Sequence, residues 1–293
     1  MDYRAKAKQL LPGSIDYHIH SGPDVFPRLL NDVELAQQAK AAGLRAILLK
    51  SHTECTAARA AIASYVTDGF PVFGAIALNY SVGGLNPEAV RNAVRMGAKQ
   101  VYMPTIHAAH YLKEVDSVPM FAALLKGGME GLSLLDSGGA LKDSVLKIID
   151  IIAEADIVLA TGHISVEEAM PLVETAHQRG VRRIVVTHPT SPMEAYTIAD
   201  MREILSRGAT MLEHVVNDTT HQMKRPIAPS VIAEAIKATG AEHTIMSTDS
   251  GQVINPAPVQ SLENFICLML EEGIGEEDIK RMTRDNPAAM LGI

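Results

Sequence analysis

One unit recurs along the chain: an amphipathic helix, a glycine, then a short aliphatic or β-branched run. DVELAQQAKAAG leads into LRAILLKSH, PEAVRNAVRMG into AKQVYMPT, and VEEAMPLVETAHQRG into VRRIVVTHP. MREILSRG before ATMLEHV and SVIAEAIKATG before AEHTIMSTDS repeat it. A helix C-terminus needs a residue that accepts the left-handed conformation, and Gly180 stands where such a residue belongs. Helix starts are marked as well, by Ser165 with Glu168, by Asn31 with Glu34, and by Asn86 ahead of Pro87. Apolar runs predict eight strands, at 15–20, 45–52, 72–78, 100–105, 157–162, 183–187, 209–213 and 244–248. Strands that alternate with helices pair in parallel. Eight such units in roughly 250 residues predict a (β/α)8 TIM barrel. No G-x-G-x-x-G follows the first strand, which weighs against an open doubly wound sheet. Nothing reads as a linker, so residues 1–293 are expected to form a single α/β domain.

One interval breaks the rhythm. After the fourth strand lies a long insertion, Ile106 to Asp143, with Gly127-Gly128, Gly131 and Gly138-Gly139. Within it GLSLLDSGGALK predicts a small hairpin. Loops on this side of a barrel carry function, so the insertion is a candidate wall for a substrate or a plain surface excursion.

Composition narrows the partners. Hydrophobic residues make up 47% and charged residues 20%, an ordinary globular balance. A formal charge of -8 argues against nucleic acid or an anionic membrane. Trp is absent and aromatics are scarce, so a stacking platform for bases is not expected. Apolar runs are too short to span a bilayer. The charged N-terminus lacks the core of a signal peptide. Cys55 and Cys267 stand far apart, as in a chain from a reducing compartment, and the expected location is cytoplasmic. A small-molecule substrate is the expected partner, and homo-oligomerisation stays open.

The chemistry gathers where apolar runs end. Asp16-Tyr17-His18-Ile19-His20 closes the first strand, and alternate strand residues share a face, so both imidazoles project together. Alone, this H-x-H could be two satisfied polar residues. Other runs, however, end in His163, His188 and Asp249. In a closed parallel barrel all these termini meet at one rim. Lys50 and His52 join from the second strand, His107 from the stretch after the fourth, and His214 from the seventh. Imidazole and carboxylate are the ligands Zn²⁺ takes when it keeps a position open for water.

H-x-H on the first strand, His on the fifth and sixth, and Asp on the eighth resemble the amidohydrolase superfamily. The ending RDNPAAMLGI is similar to the N-P-A-x-x-L-G close of those enzymes. LLKSHTECTAARA, GAIALNYSVGGLNPEAV and LATGHIS resemble more narrowly an uncharacterised amidohydrolase-like family. The resemblance implies a divalent metal, zinc foremost, as one or two ions. His18, His20 and Asp249 would hold the more buried one. His163 and His188 would hold a second, or complete a one-metal site and polarise substrate. It also makes Asp249 and His188 catalytic, with Asp249 taking the proton of the attacking water. The reaction implied is hydrolysis of an amide, cyclic amide, lactone or ester. A decarboxylase or C–C hydrolase acting on a small carboxylic acid, and a catalytically silent metal-binding barrel, are the alternatives.

The chain departs from that pattern at the fourth strand, where QVYMPT offers neither lysine nor glutamate to bridge two metals. Lys50 is the nearest substitute, and an inward lysine is costly unless paired, ligated or neutralised. It could be a carboxylated metal bridge, an ammonium that binds an acidic substrate, or half of a structural ion pair. His52 and His107 are further substrate-contact candidates, with Asn79, Arg28 and Arg225 on loops. Of Glu213 and His214, adjacent on one strand, only one can point inward. His177 and His243 read as solvated and structural.

Overall fold

The computed structural model describes residues 2–114, 125 and 129–293. Eight parallel strands run β1 (Ile15–Ile19), β2 (Ala46–Leu49), β3 (Val72–Ala77), β4 (Gln100–Tyr102), β5 (Val158–Ala160), β6 (Ile184–Val186), β7 (Met211–Val215) and β8 (Thr244–Ser247). Each pairs with the next in chain order, so every crossover is local. Helices lie between them, and the whole is a nearly closed (β/α)8 TIM barrel.

The seam between β1 and β8 is closed without a regular ladder. The His20 N–H donates to the Ser250 carbonyl at 2.8 Å and the Asp249 N–H to the His18 carbonyl at 2.8 Å. Beside them Asp16 accepts from the Thr248 N–H at 3.0 Å and from its hydroxyl at 2.7 Å. Register shifts between Asp16 and Ile19. This irregularity lets Tyr17 and His18, neighbours in sequence, both meet interior groups: Tyr17 donates to Gln100, and His18 reaches Glu213.

Side-chain alternation fills the barrel. Ile15, Leu48, Ala77, Ala160 and Ile245 pack as one fully buried cluster, joined by Met290 and Leu291 from the C-terminal helix, Asn286–Leu291. Asn286 donates to the carbonyls of Ala241 and Thr244 at 2.8 and 2.6 Å, so this helix docks at the entry to β8 and plugs the end opposite the rim. The helix Val166–Gln178 shows how the outer layer is held. Its capping box from Ser165 and Glu168 forms, and Ala169, Leu172, Val173 and Ala176 bury one stripe. Burying a side chain such as Leu172 contributes about 1.5–3 kcal/mol. Gly180 ends the unit at φ +89°.

The predicted strands exceed the ladders, since residues such as 50–52 leave the sheet to line the rim. The seventh lies two residues later than predicted, and of the open pair Glu213 and His214 it is Glu213 that faces His18 inside the barrel. A helix at Tyr3–Leu10, not predicted, packs on the long helix Pro258–Glu271. The predicted hairpin is a single antiparallel bridge, Leu135 to Leu141, around a turn in which Asp136 Oδ1 accepts from the Gly138 and Ala140 N–H groups. Glu168 fastens it to the barrel, accepting from the Ser133 hydroxyl at 2.7 Å and the Leu134 N–H at 2.8 Å. The part of the insertion at 115–124 and 126–128, which includes Gly127-Gly128, lies outside the described residues.

Candidate metal centre

At the C-terminal rim two clusters of ligand-type side chains stand side by side. His18, His20 and Asp249 form one and His163, His188 and Glu194 the other; within each, one ligand atom per residue lies within 4.8 Å of the others. The clusters adjoin, with the His18 and His188 ring centroids 6.1 Å apart.

In the first cluster the hydrogen bonds fix the tautomers. Glu213 lies wholly inside the barrel, where its Oε1 accepts from the Ser247 hydroxyl at 2.8 Å and its Oε2 faces His18 Nδ1 at 3.2 Å. Burial works against its charge, but His18 and then His188 hold it below the ordinary carboxylate range. An ionised carboxylate only accepts, so His18 Nδ1 carries the proton and Nε2 presents a lone pair. That lone pair has no hydrogen-bond partner, yet it lies 3.2 Å from Asp249 Oδ1. Burial and Lys50 push the His18 ring below its ordinary pKa, so a second proton does not resolve the contact. Two electron-rich atoms facing each other in a buried site are what a cation relieves. Arg28, which can only donate, lies 3.2 Å from His20 Nδ1, so His20 Nε2 shares a proton with Asp249 Oδ1 at 2.9 Å. A cation there would take the place of that proton. Asp249 Oδ2 accepts from Asn217 at 3.2 Å. Burial opposes ionisation of Asp249, but His18 and His20 hold its carboxyl well below the usual range. The donor set fits a divalent metal.

Backbone geometry aims these groups. His188 and Asp249 both have positive φ, 26° and 49°, which costs a non-glycine residue of order 1–3 kcal/mol and is typical of functional sites. Gly162, ahead of His163, has φ +64°, and a Cβ there would lie 2.4 Å from the Met103 carbonyl. At Gly251 a Cβ would fall 1.8 Å from the His20 carbonyl, so only glycine lets the chain after Asp249 cross β1.

In the second cluster the loop after β6 folds back on itself, through Ser191 N–H to the His188 carbonyl and Tyr196 N–H to the Pro189 carbonyl. This brings Glu194 Oε2 to 3.0 Å from His188 Nδ1. Burial disfavours the imidazolium, but Glu194 overrides it and raises His188 to about 9. Neither ring nitrogen of His163 has a hydrogen-bond partner.

A cavity of about 30 Å³ opens onto both clusters, lined by His20, His52, His163, His188, Asp218 and Asp249 among others. Lys50 lies beneath, with Nζ 4.7 Å from the centre of the Tyr102 ring, and burial lowers its pKa. His52 lines the cavity and meets the Thr105 hydroxyl at 2.9 Å. His107 stands apart against the Tyr80 ring, and His214 bonds Thr190 at 3.0 Å; neither is among the described cavity-lining residues. Asn79 is a bracket: it joins the His52 carbonyl, the Thr105 hydroxyl and the His107 N–H. Arg28, its side chain buried and paired with Asp24 at 2.8 Å, meets the site at His20 Nδ1.

Sequence reasoning missed Glu194 and Asp218. Asp218 lines the cavity with Oδ2 unpartnered, and burial pushes its carboxyl well above the usual range. Glu194 sits on a loop and Asp218 in the short 3-10 helix Val216–Thr219, neither with a periodicity to reveal it. Glu213 carried a signal, its place on the seventh strand, but the register had to be known to use it.

Solved structures with this fold include an amidohydrolase from Pseudomonas aeruginosa, 11% identical with a TM-score of 0.63, over 97% of this chain and 98% of that one. An organophosphorus hydrolase from Deinococcus radiodurans is 17% identical with a TM-score of 0.58, over 98% and 94% of the two chains. A mutant PTE-like lactonase from the same organism is 16% identical with a TM-score of 0.60, over 98% and 97%. At these identities the likeness concerns the fold. No curated protein matches the sequence. Residues 13–212 match the model of a family of unknown function, DUF6282, and the chain belongs to that family.

Proposed function

We propose that this protein is a metal-dependent hydrolase of amidohydrolase type, acting on an amide, cyclic amide, lactone or ester of a small molecule. The observation that carries this reading is the buried Nε2 of His18, without a hydrogen-bond partner, held 3.2 Å from Asp249 Oδ1. His18, His20 and Asp249 would hold a divalent ion, with zinc the first candidate. Such an ion supplies an acidified water and a Lewis-acid contact for a carbonyl oxygen.

The chain's own groups do the rest. Asp249 is ionised and oriented by Asn217, so it can take the proton of the attacking water and return it to the leaving group. Glu213 keeps His18 in the tautomer that leaves Nε2 free. In a one-metal site His188, charged and held by Glu194, can donate toward the substrate oxygen. His52, on the cavity wall, limits what enters. Support for this class of reaction comes from neighbours of the same fold described as an amidohydrolase, an organophosphorus hydrolase and a lactonase.

Lys50 and Arg28, two buried cations near the floor and edge of the rim, favour an acidic substrate. The same feature would serve a decarboxylase acting on a small carboxylic acid, which is the second reading. The test is a panel of lactones, cyclic amides, aryl esters and small dicarboxylic acids, assayed with Zn²⁺-reconstituted protein, chelator-stripped protein and Asp249→Asn. Chelator-sensitive hydrolysis that Asp249→Asn lowers by 10²-fold or more, roughly the general-base contribution, supports the hydrolase. Release of CO₂ with no hydrolysis transfers the site to the second reading.

A further inference from the structure

The resemblance already implies a second ion at His163 and His188; we propose that Glu194, from the loop after β6, is its third ligand and supplies there the carboxylate that β4 does not offer. This rests on the reading of the rim as a metal centre, but it concerns a different set of ligands.

The argument begins with burial. His163, His188 and Glu194 are 5%, 5% and 3% exposed, so each polar atom there has lost water and needs another partner. Two of the three residues lack a full set. His163 has both ring nitrogens unpartnered, and Glu194 has Oε1 unpartnered while Oε2 holds His188. An imidazole with neither nitrogen bonded is rare inside a protein, because at least one carries a proton to donate. Packing does not account for it either, since the neighbouring rings of His52 and Tyr111 approach His163 at centroid distances of 5.8 and 4.8 Å without bonding its nitrogens.

A single cation would satisfy all three. Ligand atoms of the set already lie within 4.8 Å of one another. Bonds of about 2.0–2.2 Å to nitrogen and oxygen then need only small side-chain rotations. Two imidazoles and one carboxylate leave a coordination position open, and His163 and His188 line the cavity. Nothing in this arrangement requires a carboxylated Lys50. The competing role for Glu194 is orientation of His188 alone, through the 3.0 Å contact.

Titrating chelator-stripped protein with Zn²⁺ and with Co²⁺ separates these roles by stoichiometry, with the Co²⁺ absorption bands as a second signal. Wild type is expected to take up two equivalents. Glu194→Ala and the nearly isosteric Glu194→Gln are expected to keep the first and lose the second from the titration, whereas a second equivalent kept but weakened only about 10–100-fold, the effect of a partner that merely orients a ligand, would assign Glu194 to orienting His188 and overturn its place as a ligand. His163→Ala should match them. Wild type that saturates with one equivalent overturns the second position and leaves the metal-dependent hydrolase standing. Glu194 variants that retain two equivalents at unchanged affinity also overturn it. Wild type that takes up no metal overturns both readings.

Discussion

His18 shows how much one side chain depends on its neighbours. Its Nε2 is useful only while Nδ1 keeps the proton, and that is the work of Glu213, which is in turn held by Ser247. Replacing Glu213 by Gln keeps the shape but removes the charge. The expected result is divalent-metal affinity weaker by roughly 10–100-fold, read by competition with a chromophoric chelator. Unchanged affinity would mean that the ring is oriented by packing alone. Residues that end apolar runs (His18, His20, His163, His188, Asp249) could be read from the sequence, because a polar group closing a buried strand has nowhere to go but the rim. Glu194 could not. It reaches the site through a loop whose path depends on the contacts of Ser191 and Tyr196, and no periodicity encodes that. His107 and His214 carried the same sequence signal as the others, and local geometry turns them toward Tyr80 and Thr190.

At the scale of elements, the seam between β1 and β8 is the joint on which the first cluster depends, since it carries His18 and His20 on one side and Asp249 on the other. Asp16 pins it. Burial outweighs the bonds from Thr248 and raises its carboxyl from 3.8 to about 8. The folded state therefore binds this proton more tightly than the unfolded chain. The stability it contributes is complete below the unfolded pKa and is lost as pH rises through about 8. Urea unfolding of metal-stripped protein between these limits should show stability falling with pH, and Asp16→Asn, neutral throughout, should flatten that slope. A slope that survives in Asp16→Asn would assign it to other groups. Gly251 is the second pin. Gly251→Ala meets both the positive φ and the His20 carbonyl, so a loss of roughly 2–4 kcal/mol is expected in the same measurement. A loss under about 0.5 kcal/mol, the usual effect of a surface change, would show that the seam can yield. The strands themselves were legible from their apolar runs and helix-end glycines. The register shift in β1 was not, because a bulge leaves the composition of a strand unchanged.

At the scale of the whole molecule, a barrel whose rim brings carboxylates and unprotonated imidazoles together carries a cost that a bound cation offsets. Metal should therefore stabilise the fold. Ligand at about 1,000 times its Kd adds about 4 kcal/mol. For a chain of this size, chelation should then lower Tm on the order of 10 °C. Tm unaffected by chelation would mean that the rim is balanced without a metal. The eightfold repeat made the barrel visible early. Substrate specificity stays outside such reasoning, because it belongs to the loops above the rim rather than to the repeat. The most direct test of the account is the transition-metal content of protein purified without chelators, measured beside Asp249→Ala. Wild type is expected to carry about two equivalents per chain, and the variant to lose at least the one held with His18 and His20. Folded wild-type protein that stays metal-free even after reconstitution would contradict the account at its centre.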